Sequence, residues 1–256
     1  MIDVMNVNCP HCNTDFAIDI YTGEESRDFN ATLTRKSTLH INWKELYEEI
    51  SNGYVNEVLS EGDSISFQLK DGRHASVTVA AKNLYQRNSV IFAFDDLLWK
   101  YPMNDRATNA GGWAKSKMAD TLEKEILPLL PDELAEIITP RTIIQKLNGV
   151  EYKRTSKLWL PSLTEVRGET LSTKECDFGD KQFPVFKTEK SRVKALENGE
   201  TEWYWLRSPY VGSSTYFYYV YNHGATGYYT SANNAYGVCP CFSICSKKTH
   251  DDTFSD

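Results

Sequence analysis

Residues 208–246 contain no Asp, Glu, Lys or Arg, although these four types make up a quarter of the 256-residue chain. Within that stretch, residues 210–236 also lack Leu, Ile and Met, which buried cores favour. The same residues include eight tyrosines, which a flexible linker would not have. We therefore expect residues 210–236 to be neither a core segment nor a linker.

Other absences exclude whole classes of protein. No apolar run approaches the roughly 18 residues of a membrane-spanning helix, so we expect no membrane insertion. The N-terminus has neither the basic flank nor the apolar core of a signal peptide, which predicts synthesis in the cytoplasm. A net charge of −7 opposes binding to nucleic acid. Six cysteines are too few for a disulfide scaffold in a chain of 256 residues.

Motifs for catalysis and cofactors are also missing. The sequence has no Gly-rich phosphate loop, no HExxH and no GxSxG, and its five histidines are scattered. We therefore predict no enzyme activity and no cofactor. Cys9 and Cys12 have the spacing of half a zinc knuckle, but no second CxxC completes a four-ligand site. They are weak zinc candidates, and we expect unmetallated thiols.

The apolar pattern predicts an α+β fold of short elements. Helices are predicted around residues 43–50 and at 114–127 and 132–138, and the spacing of Ser162 and Glu165 predicts a capping box. Strands are predicted at 64–69, 74–80, 90–94, 141–147, 157–160, 203–206, 216–221 and 238–245. We divide the chain into a peripheral segment with the CxxC (1–36), a folded domain (37–246) and a polar tail (247–256). The peripheral segment is a candidate contact with an assembly partner.

The composition of residues 210–236 is typical of a binding surface. Tyrosine offers a large amphipathic area with few rotamers to fix, and Ser, Asn and Thr offer adaptable hydrogen bonds. Phe217 and Val220 are expected to point inward. The predicted contact residues are Tyr210, Ser213, Ser214, Thr215, Tyr216, Tyr218, Tyr221, Asn222, His223, Thr226, Tyr228, Tyr229, Thr230, Asn233, Asn234 and Tyr236.

The segments that flank this surface are expected to be scaffold. Trp203 and Trp205 alternate with Tyr204, so both are predicted to be core aromatic residues on one side of a strand. Arg207 is predicted to form a structural ion pair. Cys239, Cys241 and Cys245 have even spacing and are predicted to be small buried side chains on one face of a strand.

Four sequence blocks together resemble a known family. They are Met103-Asn104 with Gly111-Gly112-Trp113, then LWLPSLTE at 158–165, WYWLRSP at 203–209 and GVCPCFSI at 237–244. This order is similar to a bacterial and phage domain family of formally unknown function that ends in WLRSP and GV-x-P-x-F blocks. The resemblance covers about residues 40–245. It implies a C-type-lectin-like fold, in the branch of the formylglycine-generating enzymes.

The resemblance also implies a function, because many proteins with this ending are variable proteins of diversity-generating retroelements. In such systems a reverse transcriptase miscopies adenines, and Asn codons are the main targets. An AAC codon cannot reach Lys, Glu, Gln, Met or Trp by changes at adenines, and residues 210–236 contain none of the five. Asp, Arg, Leu and Ile are reachable and are absent as well. The implied ligand is a protein or a glycan on a cell surface, and the resemblance leaves open display on a phage particle.

Two alternatives remain at the level of sequence. The first is a phage structural or tail-tip protein without diversification. The second is an oxidase of the formylglycine-generating type, which would need Cys239 and Cys241 as a reactive pair with a metal. The position of Cys239 at the variable x of GV-x-P weakens the second alternative.

Overall fold

The computed structural model describes residues 41–168 and 176–246 in full, and for the earlier residues it describes only the backbone of four strands. These parts form a mixed α+β structure that is mostly sheet, which confirms the predicted class. Cys9, Cys12, half of the peripheral segment and the polar tail lie outside the described residues.

Fifteen strands occur in the described residues. They are β1 (Ile2–Asn8), β2 (Asp15–Tyr21), β3 (Ala31–Thr34), β4 (Thr38–Ile41), β5 (Ser64–Gln68), β6 (His74–Lys82), β7 (Ser89–Phe94), β8 (Trp99–Pro102), β9 (Arg141–Leu147), β10 (Val150–Ser156), β11 (Tyr204–Pro209), β12 (Tyr216–Val220), β13 (Tyr228–Ser231), β14 (Ala235–Val238) and β15 (Cys241–Cys245). The predicted strands around residues 64–94, at 141–147 and at 216–221 are confirmed within a few residues.

Two large sheets organise the fold. One has the strand order β15-β7-β6-β5-β3-β4 and the other has the order β13-β12-β11-β14-β8, while β1–β2 and β9–β10 are separate pairs. Because β3 belongs to the first sheet, that sheet begins at residue 31, before the expected domain boundary at residue 37. The chain passes between the large sheets from β7 to β8 and again from β14 to β15. Phe94 N–H donates to the carbonyl of Pro240 at 3.0 Å where these connections meet.

The helices are short: α1 (Trp43–Asn52), α2 (Val55–Val58), α3 (Lys117–Thr121), α4 (Asp132–Ile137), α5 (Leu163–Arg167) and α6 (Glu189–Arg192). The Asn42 side chain caps the start of α1, and Gly53 ends it with φ 94°. The apolar stripe of α1 packs into the core as predicted. The predicted capping box at Ser162 and Glu165 is present at the start of α5.

Three predicted elements are wrong in detail, and the first is the strand at 238–245, which is divided between β14 and β15. The single helix at 114–127 is instead a 3₁₀ turn (Trp113–Lys115), α3, a π-helical turn (Leu122–Ile126) and a second 3₁₀ turn (Leu127–Leu129). A new helix, α3, begins at Lys117 because the Ser116 side chain caps it by accepting from Ala119 N–H at 3.2 Å. Residues 157–160 form no strand, and only Trp159 makes an isolated bridge, with Cys241.

One hydrophobic core joins both large sheets. Trp43, Trp113, Trp159 and Trp205 are fully buried in it. Phe92 of β7 stacks on Phe242 of β15, with ring centroids 5.2 Å apart. The close packing of this core fixes the positions of β11 and of the end of β14. The segment 210–236, which lies between them in the chain, is therefore held by rigid structure at both ends.

Candidate ligand-binding surface

Residues 210–236 lie at one edge of the five-stranded sheet. They form the loop 210–215, strand β12, a turn at 221–227, the edge strand β13, a second turn at 232–234 and the start of β14. Gly224 adopts φ +90°, and a Cβ there would overlap the carbonyl oxygen of Glu189 on α6. The first turn is therefore packed directly against the backbone of a neighbouring helix, where only glycine fits.

The structure brings nearly all predicted contact residues to the surface. Six are exposed: Ser214, His223, Tyr228, Tyr229, Asn233 and Asn234. Nine are half-buried: Tyr210, Ser213, Thr215, Tyr216, Tyr221, Asn222, Thr226, Thr230 and Tyr236. Tyr218 requires a correction, because only 3% of it is exposed and it packs beneath its neighbours. Phe217 and Val220 are buried, which confirms their inward orientation.

The register of β12 and β13 sorts the tyrosines into two groups. Tyr218 is paired with Tyr229, and Tyr219 is paired with Tyr228. Directly paired residues share a face of the sheet, and consecutive residues point to opposite faces. The first pair therefore lies on one face of the two-stranded ribbon and the second pair on the other. Each pair combines one buried and one exposed tyrosine.

The first face carries a tyrosine stack, which we define as Tyr210, Tyr216 and Tyr229. Tyr229 stacks on Tyr210 with ring centroids 3.7 Å apart and on Tyr216 at 5.7 Å. The buried Tyr218 meets Tyr210 and Tyr229 edge-on, at 5.7 and 6.0 Å. It therefore supports the stack from below rather than presenting its ring to a ligand.

The second face carries a larger group, the aromatic face, which we define as Trp203, Tyr219, Tyr221, Tyr228 and Tyr236. The Trp203 ring lies 5.4 Å from Tyr219, 4.8 Å from Tyr221 and 5.2 Å from Tyr236. Tyr228 lies 6.1 Å from Tyr219 and 5.4 Å from Tyr221. These rings come from four adjacent strands or their ends, so they form one continuous aromatic area.

Two members of the aromatic face were not predicted as contact residues. Trp203 was expected in the core, but it is half-buried and precedes β11, whereas Trp205 is fully buried as expected. Tyr219 was not among the predicted residues; only 7% of it is exposed, so it supports the aromatic face as Tyr218 supports the tyrosine stack. For Tyr219 the signal was its spacing of two from Tyr221, because such residues share a face of a strand, whereas the same spacing from Trp205 had placed Trp203 in the core.

Two tyrosines of the aromatic groups have a raised pKa. The hydrogen bond with Tyr229 raises the pKa of Tyr210, and burial together with the neighbouring tyrosines raises the pKa of Tyr219. Exposed polar side chains border the rings. Asn234 Nδ2 donates to Thr230 Oγ1 at 2.9 Å, and Ser231 Oγ donates to Asn233 Oδ1 at 2.7 Å. The surface can therefore offer ring contacts and neutral hydrogen bonds.

A cleft of about 350 Å³ adjoins the tyrosine stack. One wall is the loop from Tyr210 to Ser214, and the other is the hairpin β9–β10 with Val150 and Tyr152. Val150 and Val211 are both exposed apolar residues of this lining. The candidate surface thus adjoins a hairpin that the sequence did not link to it.

A buried ion network lies beneath the surface. Arg207 on β11 is 1% exposed; it contacts Glu165 Oε2 at 2.5 Å and also contacts Asp180. Arg141 on β9 contacts the same two carboxylates, at 2.5 and 2.8 Å. Burial alone would raise the pKa of Glu165, but Arg207 and Arg141 outweigh it and lower that pKa to about 2. The predicted structural ion pair of Arg207 is thus confirmed.

A third buried acid of this region, Asp177, is hydrogen-bonded to neutral groups. It accepts hydrogen bonds from Ser208 Oγ at 2.7 Å and from Thr164 N–H at 3.3 Å. Burial, with a further contribution from the charge of Asp180, raises its pKa to about 7. The charge-free segment therefore begins, at Ser208, in direct contact with a buried acid.

The cysteines near the C-terminus are buried thiols. Cys241 and Cys245 lie on β15, whereas Cys239 precedes that strand, so the three do not share one strand as predicted. Burial raises the pKa of Cys239 to about 11, so this thiol is protonated at neutral pH. Among the residues that the structure describes, no group of three His, Cys, Asp or Glu side chains is placed to hold a metal ion.

The geometry defines an α+β domain with a large, neutral aromatic surface on a rigid base. The chain belongs to the family of the domain of unknown function DUF6273, whose model matches residues 87–246. The match begins just before β7 and includes both aromatic groups and the ion network. No curated protein and no solved structure matches the chain. No helix within the described ranges has the length and apolarity to span a bilayer.

Proposed function

We propose that this protein is a non-enzymatic ligand-binding protein, and that the tyrosine stack and the aromatic face are its contact surface. The observation that carries the proposal is the grouping of exposed tyrosines over buried ones across strands β12 and β13. Rigid aromatic anchors bordered by short polar side chains are the usual composition of adaptable binding surfaces. The absence of charge from residues 208–246 favours recognition by shape and neutral hydrogen bonds.

We further propose a C-type-lectin-like fold and an origin of the surface in retroelement mutagenesis. Both rest on the resemblance of the WLRSP and GVCPCF blocks. The placement of the predicted contact residues is compatible with diversification, because all but Tyr218 are at least partly exposed. The ligand in this proposal is a protein or a glycan on a cell surface, met by a protein displayed on a phage particle.

Binding is tested with a variant in which Tyr210, Tyr221, Tyr228 and Tyr229 are all replaced by Ser. The labelled wild-type protein is applied to a glycan array and to bacterial cells before and after protease treatment. We expect the wild type to bind one of these targets and the variant to lose at least about 100-fold in affinity, because its ring contacts are gone. Loss of binding after protease treatment indicates a protein ligand.

The matched control is Tyr54→Ser, which removes an exposed tyrosine of the α1–α2 turn, outside the surface. This variant should bind like the wild type. A fourfold Tyr→Ser variant that keeps its stability and still binds with full affinity would refute the contact surface.

The origin of the surface is tested on the DNA around the gene. We expect a near-identical copy of the 3′ region beside a reverse transcriptase gene, with differences concentrated at adenines of the copy. A neighbourhood without such a copy would leave a static binding protein and reject diversification.

A further inference from the structure

Asn109 contacts four main-chain oxygens of the loop 210–216. Its side-chain Nδ2 carries two hydrogens and shares them among the main-chain oxygens of Tyr210 at 3.1 Å, Ser213 at 2.7 Å and Tyr216 at 2.9 Å. Its backbone N–H donates to the main-chain oxygen of Ser214 at 2.7 Å. Only 8% of Asn109 is exposed, so water competes little for these acceptors and the bonds are strengthened.

All four acceptors are main-chain carbonyl oxygens, which every amino acid supplies. Asn109 therefore holds the loop without using the identity of its side chains. The loop's own polar side chains interact locally, since Ser213 Oγ and Thr215 Oγ1 hydrogen-bond each other at 2.9 Å and Ser213 Oγ also accepts from Thr215 N–H at 3.3 Å. A change of these side chains leaves the acceptors of Asn109 in place.

The turn at 232–234 is attached to the same scaffold segment in the same way. Asn104 N–H donates to the carbonyl of Ala232 at 2.9 Å, and Ala232 N–H donates to the carbonyl of Thr215 at 2.9 Å. Asn104 is itself fixed, because its Nδ2 donates to Thr108 O at 2.7 Å and its Oδ1 accepts from Lys117 N–H at 2.8 Å. Residues 104–109 thus support two loops of the surface through main-chain contacts.

We propose that Asn109 is a positioning residue, which fixes the backbone of the loop 210–216 so that the loop keeps its shape when its side chains change. The inference rests on the proposed function, since it concerns the presentation of that binding surface. It assigns specificity to the side chains of the loop and their orientation to one asparagine outside it.

Amide hydrogen exchange of the ligand-free protein tests the proposal. The Tyr210 and Ser213 amides report on the loop, because they donate to Tyr216 O at 2.9 Å and to Tyr210 O at 3.3 Å. We expect Asn109→Ala and Asn109→Asp to raise their exchange rates about tenfold or more. Asp keeps the size of Asn but has no N–H donors, so it separates hydrogen bonding from packing. Amides of β6 should keep their wild-type rates.

The matched control replaces Ser213, Ser214 and Thr215 by Ala together, and loop exchange in this variant should equal that of the wild type. The proposal is overturned if Asn109→Ala leaves the loop rates unchanged or raises rates across the whole domain. It is also overturned if the triple variant raises loop exchange as much as Asn109→Ala. If the Asn109 variants do not fold, the triple variant is the test: wild-type exchange rates in the loop support the proposal, and rates about tenfold higher overturn it.

Because these measurements need no ligand, their result is independent of the binding test. A protein without ligand binding but with an Asn109-dependent loop would reject the proposed function and keep the positioning role. Unchanged loop exchange in the Asn109 variants, together with intact ligand binding by the wild type, would keep the proposed function and reject the positioning role.

Discussion

At the scale of single residues, Asp177 is a buried acid whose protonation is coupled to folding. Its pKa is raised from an ordinary 3.8 to about 7, so folding stabilises the protonated form. This contribution to the free energy of unfolding is complete below about pH 4 and is lost as the pH rises through 7. The pKa of Glu165 is lowered to about 2, so its contribution to the free energy of unfolding is present at neutral pH. That contribution is lost only as the pH falls from the ordinary pKa of 4.5 through about 2.

We therefore predict that Asp177→Asn makes the protein more stable than the wild type above pH 7, by about 2 kcal/mol. Asn is neutral and can keep accepting from Thr164 N–H while its amide donates to Ser208 Oγ. Urea denaturation from pH 5 to pH 8 measures the effect, and the difference between variant and wild type should grow with pH. Parallel profiles of the two proteins would show that Asp177 is ionised throughout.

Gly224 is the residue through which the turn at 221–227 meets α6. We predict that Gly224→Ala costs about 2 kcal/mol more than Gly199→Ala, measured by urea denaturation. Both glycines have φ above +80°, but no atom lies near a Cβ at Gly199, whereas a Cβ at Gly224 overlaps the Glu189 carbonyl. Equal costs at the two positions would mean that the turn moves away from α6 freely.

At the scale of the elements, strands β12 and β13 provide an internal comparison. We predict that Tyr228→Ser and Tyr229→Ser each cost about 1 kcal/mol or less, because 48% and 43% of these residues are exposed. Their direct partners Tyr219 and Tyr218 are only 7% and 3% exposed, so replacing either by Ser should cost about 3–5 kcal/mol. Chemical denaturation of the four variants measures both classes. Similar costs for paired tyrosines would contradict the division into contact and support residues.

The spacing of apolar residues correctly predicted the elements that have one buried face. It failed for residues whose burial depends on contacts with strands distant in sequence. The apolar stripe of α1 and the alternation of β5 and β6 were read correctly from the sequence. Tyr218 could not be recognised as buried, because a Tyr-rich strand looks alike on both faces until its register is known. Trp203 was placed in the core because it alternates with Trp205, and its neighbours on β12 and β14 could not be recognised because they are distant in sequence.

The hairpin β9–β10 was missed although the sequence contains its signal. Asn148 and Gly149 both have positive φ, at 50° and 79°, as a type I′ turn requires. The following strand is rich in charged and polar residues and lacks an apolar stripe, which hid the pairing. The cleft beside Tyr210 therefore could not be predicted either, since one of its walls is this hairpin.

At the scale of the whole molecule, the neutral segment begins where the chain leaves a buried ion network. The last charged residue before the neutral segment, Arg207, points into the buried network, while the residues that follow it form the surface. The network links β11 to α5 through Glu165, to the 177–180 turn through Asp180, and to β9 through Arg141, which shares both carboxylates. Arg207 also donates to the carbonyl of Leu160 at 2.7 Å. The surface thus rests on elements that are joined to each other by ions rather than by apolar contact alone.

Arg207→Met tests whether this network holds the domain together. Methionine fills part of the space but leaves Glu165 and Asp180 buried with one arginine between them, which should cost about 3–5 kcal/mol in the free energy of unfolding. The control is Lys70→Met, which removes an ion pair of the same kind at 2.6 Å on the exposed surface and should cost about 0.5 kcal/mol or less. Urea denaturation should show one transition for both variants, shifted strongly only for Arg207→Met. If the two variants unfold at the same denaturant concentration, the rigidity of the surface must come from the hydrophobic core, and Asn109 would be its remaining polar support.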